Sequence, residues 1–307
     1  MKTPAVVLAV VAFALSGCGS GDGSGGNSDL PGKGKPSVTF ATKNFTEQYV
    51  LGELYTQALR AKGFTIVLKE NVGSSEIVDR ALADGVIDVY PEYIGVIAQE
   101  LARARRRPHT EKETYARAKA YEERRGFTIL RATPGFDADA NAVRPDLARK
   151  YDLKSTADLK RLGSFTYGGP PENQTRFQGA VGMRQVYGLD KLRYVPLTIE
   201  RRYPALDRGR IDVAAVFTTE GQLTQKDKYV LLSDPKGIFG FQNIVPVVSR
   251  KVLREQGSAF EAVLDAVSAK LTNDALQTMN AAVDLQKQKP AAVARAFLRR
   301  NRLLEAG

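Results

Sequence analysis

The chain has 307 residues, with 45 Lys and Arg against 34 Asp and Glu and a formal charge of +11 at pH 7. Its one cysteine excludes disulfides, CxxC redox chemistry and thiolate zinc sites, and its one histidine, His109, set between Arg-rich and Glu/Lys-rich stretches, argues against a Ser-His-Asp triad or a multi-histidine metal centre. Neither a metal nor a cofactor is expected. The basic surplus suits nucleic acid, anionic lipid or an anionic ligand. Its densest run, Arg103 to Arg107, lies beside Glu111, Glu113, Glu122 and Glu123, and mixed charge of this kind predicts a solvated helix with His109 exposed on the surface.

The chain opens with Lys2, an apolar run from Ala5 to Leu15, and Leu15-Ser16-Gly17-Cys18. The run is too short for a bilayer core, which takes about 20 residues, so it predicts a secretion signal over 1–17. A small-residue stretch ending in cysteine resembles the bacterial lipoprotein signal, which implies lipidation of Cys18. An ordinary signal peptide with a stray cysteine is the alternative. Without Lys2 the charge is still +10, but an exported protein meets little nucleic acid, and none is expected as a partner. Gly19 to Lys35, dominated by Gly and Ser, cannot bury enough apolar surface to fold and reads as a linker with a reach of roughly 20–25 Å.

About 270 residues remain, which suits two lobes better than one core. Ser37 to Ala41 predicts a strand, Thr46 to Lys62 a helix with Thr46 as N-cap and Gly63 as stop, and Phe64 to Leu68 a second strand. Ser75 to Ala83 predicts a helix and Ile87 to Val89 a third strand, so the order is β-α-β-α-β with a parallel sheet. The same pattern returns. Ser164 to Gly168 matches Ser37 to Ala41, Gly188 matches Gly63, and Ala205 to Val213 matches Ala81 to Val89, at offsets of 127, 125 and 124 residues. Pro134 to Val143 and Lys236 to Pro246 are the candidate crossovers. After a second crossover the C-terminal helices, Ser258 to Leu271 and Pro290 to Leu298 with Pro290 near N1, must return to the first lobe.

Ligands of open α/β sheets bind beyond the carboxyl ends of the strands, at helix N-termini. In the two copies that position falls on the loops Thr42 to Thr46 and Gly169 to Phe177, which carry Lys43 and Arg176, a pair suited to a carboxylate. Tyr93 precedes Phe217 by the same 124 residues, so both aromatics are expected to follow strand ends facing the cleft, where their faces can hold a quaternary ammonium. Glu92 and Glu220, at matching loops, either orient the cleft or cap helices.

Thr42-Lys43-Asn44-Phe45-Thr46-Glu47-Gln48, Ile87-Asp88-Val89-Tyr90-Pro91-Glu92-Tyr93-Ile94-Gly95 and Phe217-Thr218-Thr219-Glu220-Gly221 resemble the glycine betaine, choline and carnitine binding proteins of osmoprotectant ABC importers. The resemblance runs from about Ser37 to Leu298. It implies an α/β, two-lobed periplasmic-binding-protein fold of type II, with duplicated βαβαβ lobes and two crossover segments. The first lobe would take 36–138 and 244–307 and the second 139–243, after the signal peptide at 1–17 and the lipidated cysteine plus linker at 18–35. It implies no catalysis, a small-molecule solute and ABC permease subunits as partners, and a monomer held outside the cytoplasm on the bacterial membrane by lipid at Cys18. By the same resemblance Lys43 and Arg176 bind a ligand carboxylate, and Tyr93 and Phe217 are walls of an aromatic cage. Asp139 and Gln242 stand where further aromatic walls are usual, and Val96 where a hydroxyl is usual. A non-betaine polar or aromatic solute, or a ligand-sensing surface lipoprotein, are the alternatives.

Overall fold

A computed structural model describes residues 30–103 and 106–305. The leader, Cys18 and most of the linker lie outside them. The first part of the chain runs β1 (Val38–Lys43), α1 (Thr46–Ala61), β2 (Ile66–Gly73), α2 (Ser75–Ala83), β3 (Val89–Tyr93), α3 (Glu111–Arg124) and β4 (Phe127–Ile129). Next come β5 (Asp139–Val143), α4 (Pro145–Tyr151), β6 (Phe165–Gly169), α5 (Gly182–Gln185), β7 (Leu192–Pro196), α6 (Arg202–Asp207), β8 (Val213–Phe217) and β9 (Val230–Leu232). The chain ends in β10 (Ile244–Ser249), α7 (Arg250–Gln256), α8 (Ser258–Ser268), α9 (Asn273–Asp284) and α10 (Pro290–Arg300).

Two five-stranded sheets result, in the orders β2-β1-β3-β10-β4 and β7-β6-β8-β5-β9. Three strands of each are parallel, and the strand that follows a crossover, β10 or β5, joins antiparallel. The repeat seen in the sequence is therefore a repeat of topology: β6, β7 and β8 stand to β5 and β9 as β1, β2 and β3 stand to β10 and β4. β3 and β8 are apolar and buried nearly throughout, as expected of strands covered on both faces.

The first core is built around α1. Val50, Leu51, Leu54, Tyr55, Ala58 and Leu59 recur at helical spacing and are buried against the sheet and against α8 and α10. Each such large apolar side chain contributes about 1.5–3 kcal/mol by leaving water. The C-terminal helices return to the first lobe as expected, with Pro290 at the start of α10. The second core, around Tyr167, Met183, Tyr187 and Phe239, is separate.

The two strands of chain between the lobes lie side by side. Phe136 bridges antiparallel to Asn243, the Asp137 amide donates to the Gln242 carbonyl (3.1 Å), and the Thr133 amide donates to the Ile244 carbonyl (2.9 Å). Paired crossovers of this kind let lobes swing about a short common axis.

Several boundaries differ from expectation. Thr46 is the first helical residue and Phe45 the N-cap, without a side-chain cap; the Thr46 hydroxyl instead donates to Asp284 (2.6 Å). β3 begins two residues late and runs to Tyr93, because its pairing with β10 continues to Ile244. Tyr93 and Phe217 are thus the last residues of their strands, not the first of the loops. Arg103 to Arg107 precedes α3 instead of lying on it. Arg107 leaves solvent partly, stacking on Phe177 of the second lobe (4.4 Å) and donating to the Gly237 carbonyl (2.9 Å). His109 is exposed.

The counterpart of α1 in the second lobe is broken into short turns at Pro171–Gln174 and Phe177–Val181 before α5. Pro170 and Pro171 cannot supply the amides of a continuous helix. Gly179 leaves helical geometry (φ −120°, ψ −134°), and a Cβ there would lie 2.0 Å from the Asn173 carbonyl oxygen. The break projects Asn173 and Arg176 toward the first lobe.

Candidate functional site

The lobes meet over a cleft at the carboxyl ends of β1, β3, β6 and β8. Lys43, Tyr93, Asp139, Arg176, Phe217 and Gln242, the six residues singled out from the sequence, all line one cavity of about 40 Å³ in it. Val96 lines it too, and brings no hydroxyl. A second cavity, about 160 Å³, lies beside it between α1, α9 and the second lobe. Phe45, Asp137, Ile199 and Phe217 border both and form the partition.

Each terminal aromatic carries a cation of its own lobe. The Lys43 ammonium lies 4.0 Å from the Tyr93 ring centre, and the Arg202 guanidinium 5.0 Å from that of Phe217. Each cation is in turn paired with a buried carboxylate, Lys43 with Glu92 and Arg202 with Glu220. Glu92 and Glu220 therefore neutralise the cations that brace the aromatic walls; Glu220 also stands at the N-cap of the turn at 221–224, without a side-chain cap bond, and borders the larger cavity. Burial pulls the Lys43 pKa down, and the neighbouring Glu92 charge opposes that pull. Phe45 completes the aromatic group between the lobes, with its ring centre 6.4 Å from Tyr93 and 5.2 Å from Phe217.

Arg176 does not stand free for a carboxylate. Its guanidinium grips Glu76 of α2 across the cleft, with Nε 3.0 Å and Nη2 2.8 Å from Oε1 and Nη2 2.8 Å from Oε2. Attraction from Arg176 carries the Glu76 pKa below its usual value against the desolvation that raises it.

A second clasp closes the cleft near the crossovers. The Thr219 hydroxyl donates to Glu47 (2.5 Å), its amide to Asp137 (3.0 Å), and its carbonyl accepts from Asn280 (3.0 Å). Glu47 also accepts from the Tyr93 hydroxyl (2.8 Å) and from Asn280 (3.1 Å). Gly221 allows this approach: a Cβ there would lie 2.5 Å from the Ala281 Cα of α9. The lobes are thus held together by contacts of the protein itself.

Among the described residues no ion pair within 4.0 Å involves Glu47, Asp137 or Asp139. Desolvation raises the pKa of Glu47 and pushes that of Asp137 well up, which favours their protonated forms. Asp139 is different. It is partly accessible to the cavity, accepts one long hydrogen bond from Asn173 (3.4 Å), and desolvation raises its pKa only to about 6, so it is charged at pH 7. It stands directly opposite Phe217 in the β5–β8 ladder, where side chains share a face. Gln242 is buried, donates to the Phe239 carbonyl (3.0 Å) and leaves its amide oxygen without a partner.

Glu76, Glu47, Thr219 and Phe45 escaped the assignment of site residues. Three of them lie inside or beside the quoted motifs, yet their roles depend on the opposite lobe, which no spacing in one segment reveals. Phe45 was the most legible, as an aromatic between a strand end and a helix start.

Comparison with known proteins agrees with this geometry. The family described as the substrate binding domain of ABC-type glycine betaine transport systems matches residues 36–300. A glycine-betaine-binding protein of Pseudomonas aeruginosa is 29% identical over 285 residues, covering 86% of this chain and 88% of its own. An ergothioneine transport permease/ergothioneine binding protein of Helicobacter pylori is 26% identical over 269 residues, 87% of this chain but only 48% of that longer protein. The crystal structure of a glycine betaine/carnitine/choline ABC transporter superposes with a TM-score of 0.70 at 22% identity, covering 87% of this chain and 100% of that one. The fold is thus the two-lobed, type II periplasmic-binding-protein fold.

Proposed function

Since the chain belongs to the family of substrate binding domains of ABC-type glycine betaine transport systems, and is thereby a solute receptor of an ABC importer, we propose that it holds a quaternary-ammonium solute among Phe45, Tyr93 and Phe217. The observation that carries this is the convergence of those three rings, from both lobes, beside the charged carboxylate of Asp139. An aromatic face and a carboxylate both attract a cation, and the rings exclude the water that would otherwise solvate it. Lys43, Arg176 and Gln242 complete the ligand shell, the two cations already paired with Glu92 and Glu76.

The cavity of about 40 Å³ has room for a few waters only. Entry of a trimethylammonium group therefore requires the lobes to part about the crossovers, or Phe45 to withdraw and join the two cavities. Closure on the solute then remakes the Glu76–Arg176 and Glu47–Thr219 contacts, and the closed face is what the permease subunits receive.

Titration calorimetry with choline, glycine betaine and carnitine tests the reading. Micromolar or tighter binding of at least one is expected. Silence toward all three, with binding of a solute lacking a quaternary nitrogen, would replace it with an import receptor for another polar or aromatic ligand.

We further propose that Cys18 is lipidated and tethers the protein, as a monomer outside the cytoplasm, to the bacterial membrane through the Gly/Ser linker. Cys18→Ser is expected to move the protein from the membrane fraction to the soluble fraction. Retention on the membrane would remove the anchor from the account.

A further inference from the structure

We propose that the closed cleft is a charge selector, favouring solutes with a net positive charge over zwitterions, with Asp139 as the residue that selects and the Glu76–Arg176 pair as the element that rejects. The inference deepens the quaternary-ammonium reading and rests on it. It follows from pairing the charges that surround the cavity.

Both cations at the cavity wall have carboxylate partners from the protein. Lys43 is buried against Glu92, which makes no other charged contact among the described residues. Arg176 gives the Nε–Nη2 edge of its guanidinium to the two oxygens of Glu76, and that pair also ties α2 of the first lobe to the second. A carboxylate on the solute finds the charge and the Nε–Nη2 edge of Arg176 already given to Glu76, and a bidentate grip on that edge would release a contact that holds the lobes closed. The solute gains little by such a grip, because the charge it would neutralise is already neutralised.

The carboxylates at the cavity are not matched in this way. Among the described residues Asp139 has no cation within 4.0 Å, only the more distant charge of Arg176, and one long hydrogen bond, from Asn173. Glu172 lines the same cavity, also without an ion pair among the described residues. A favourable change a solute can make to the charges of this site is to bring a cation to the side of the cavity that holds Asp139 and Glu172. The register of β5 and β8 puts that position beside Phe217, so the carboxylate and the aromatic face act on the same ammonium.

The test is a comparison of choline, a cation, with glycine betaine, a zwitterion with the same headgroup, by titration calorimetry on the wild-type protein and on Asp139→Asn and Glu76→Gln. Wild type is expected to bind choline about tenfold or more tightly than betaine. Asp139→Asn should weaken choline about tenfold or more and betaine clearly less, since both lose the carboxylate beside the ammonium but betaine also loses the repulsion between Asp139 and its own carboxylate. Glu76→Gln should free Arg176 and shift the preference severalfold toward betaine. Betaine binding as tightly as choline to wild type, or equal losses for both solutes in Asp139→Asn, overturns the selector and leaves the quaternary-ammonium site standing. Binding of neither solute to wild type overturns the site itself, and the selector with it.

Discussion

Replacing Arg202 with alanine will lower the melting temperature by about 10 °C. The guanidinium is 1% exposed and is held by Glu220, by the carbonyl of Ala215 and by that of Ile199 (2.9 Å). Its loss leaves Glu220 in the interior with only the Tyr203 hydroxyl (2.5 Å) as a side-chain donor. Breaking a buried pair from one side costs about 3–5 kcal/mol, and a protein of this size loses roughly 2–4 °C per kcal/mol. The cost arises from the stranded carboxylate and not from the pair as such. Arg202→Met combined with Glu220→Leu should therefore recover most of the loss. Thermal unfolding followed by circular dichroism decides the matter: equal losses in the single and double variants would mean that packing, and not charge, is what Arg202 supplies.

Phe217→Leu should weaken a quaternary-ammonium solute about 30-fold while leaving the fold intact. Leucine fills much of the ring's volume and keeps that part of the partition between the two cavities apolar, but it has no π face. A desolvated cation–π contact is worth about 2 kcal/mol, which is the stated factor in affinity. Phe217→Tyr, with the face retained, should bind within a few-fold of wild type. Calorimetric titration of the three proteins checks both statements. Unchanged affinity in Phe217→Leu would place the ammonium elsewhere, against Tyr93 and Phe45 alone or outside the aromatic group.

These residues also show what the sequence made legible. The offset of 124 residues that aligned Tyr93 with Phe217 corresponds to the last residues of β3 and β8, the same place in two copies of one sheet. The constant offset carried the parallel part of both sheets, because three strands and their helices repeat as a unit. β5 and β10 were hidden within segments read as crossovers. Their short apolar runs, Ala140 to Val143 and Ile244 to Val248, become strands only because β8 and β3 offer open edges to pair with. Pro170 and Pro171 fall within the segment Gly169 to Phe177 that reads as a loop, whereas Gly179 interrupts the stretch before Gly188 that matches α1.

The site was legible in position and illegible in pairing. Lys43 and Arg176 do lie at the cleft, but each is taken by a carboxylate of the protein. Glu92 is 49 residues from Lys43, and Glu76 is 100 residues from Arg176 and on the other lobe. Contacts over such separations follow from the assembled lobes and their closure, not from local patterns. The Thr219 clasp is of the same kind, since it joins α1, α9 and a crossover to the loop after β8.

The central claim is that a quaternary ammonium rests among the three rings at Asp139. A crystal structure of the protein grown with saturating choline tests it most directly. The account predicts the nitrogen within about 6 Å of the centres of at least two of Phe45, Tyr93 and Phe217, with the Asp139 carboxylate beside it. Choline in the neighbouring cavity of about 520 Å³, which Asp139 also lines together with Arg107, Lys236 and Phe241, with the aromatic group closed and empty, would contradict it.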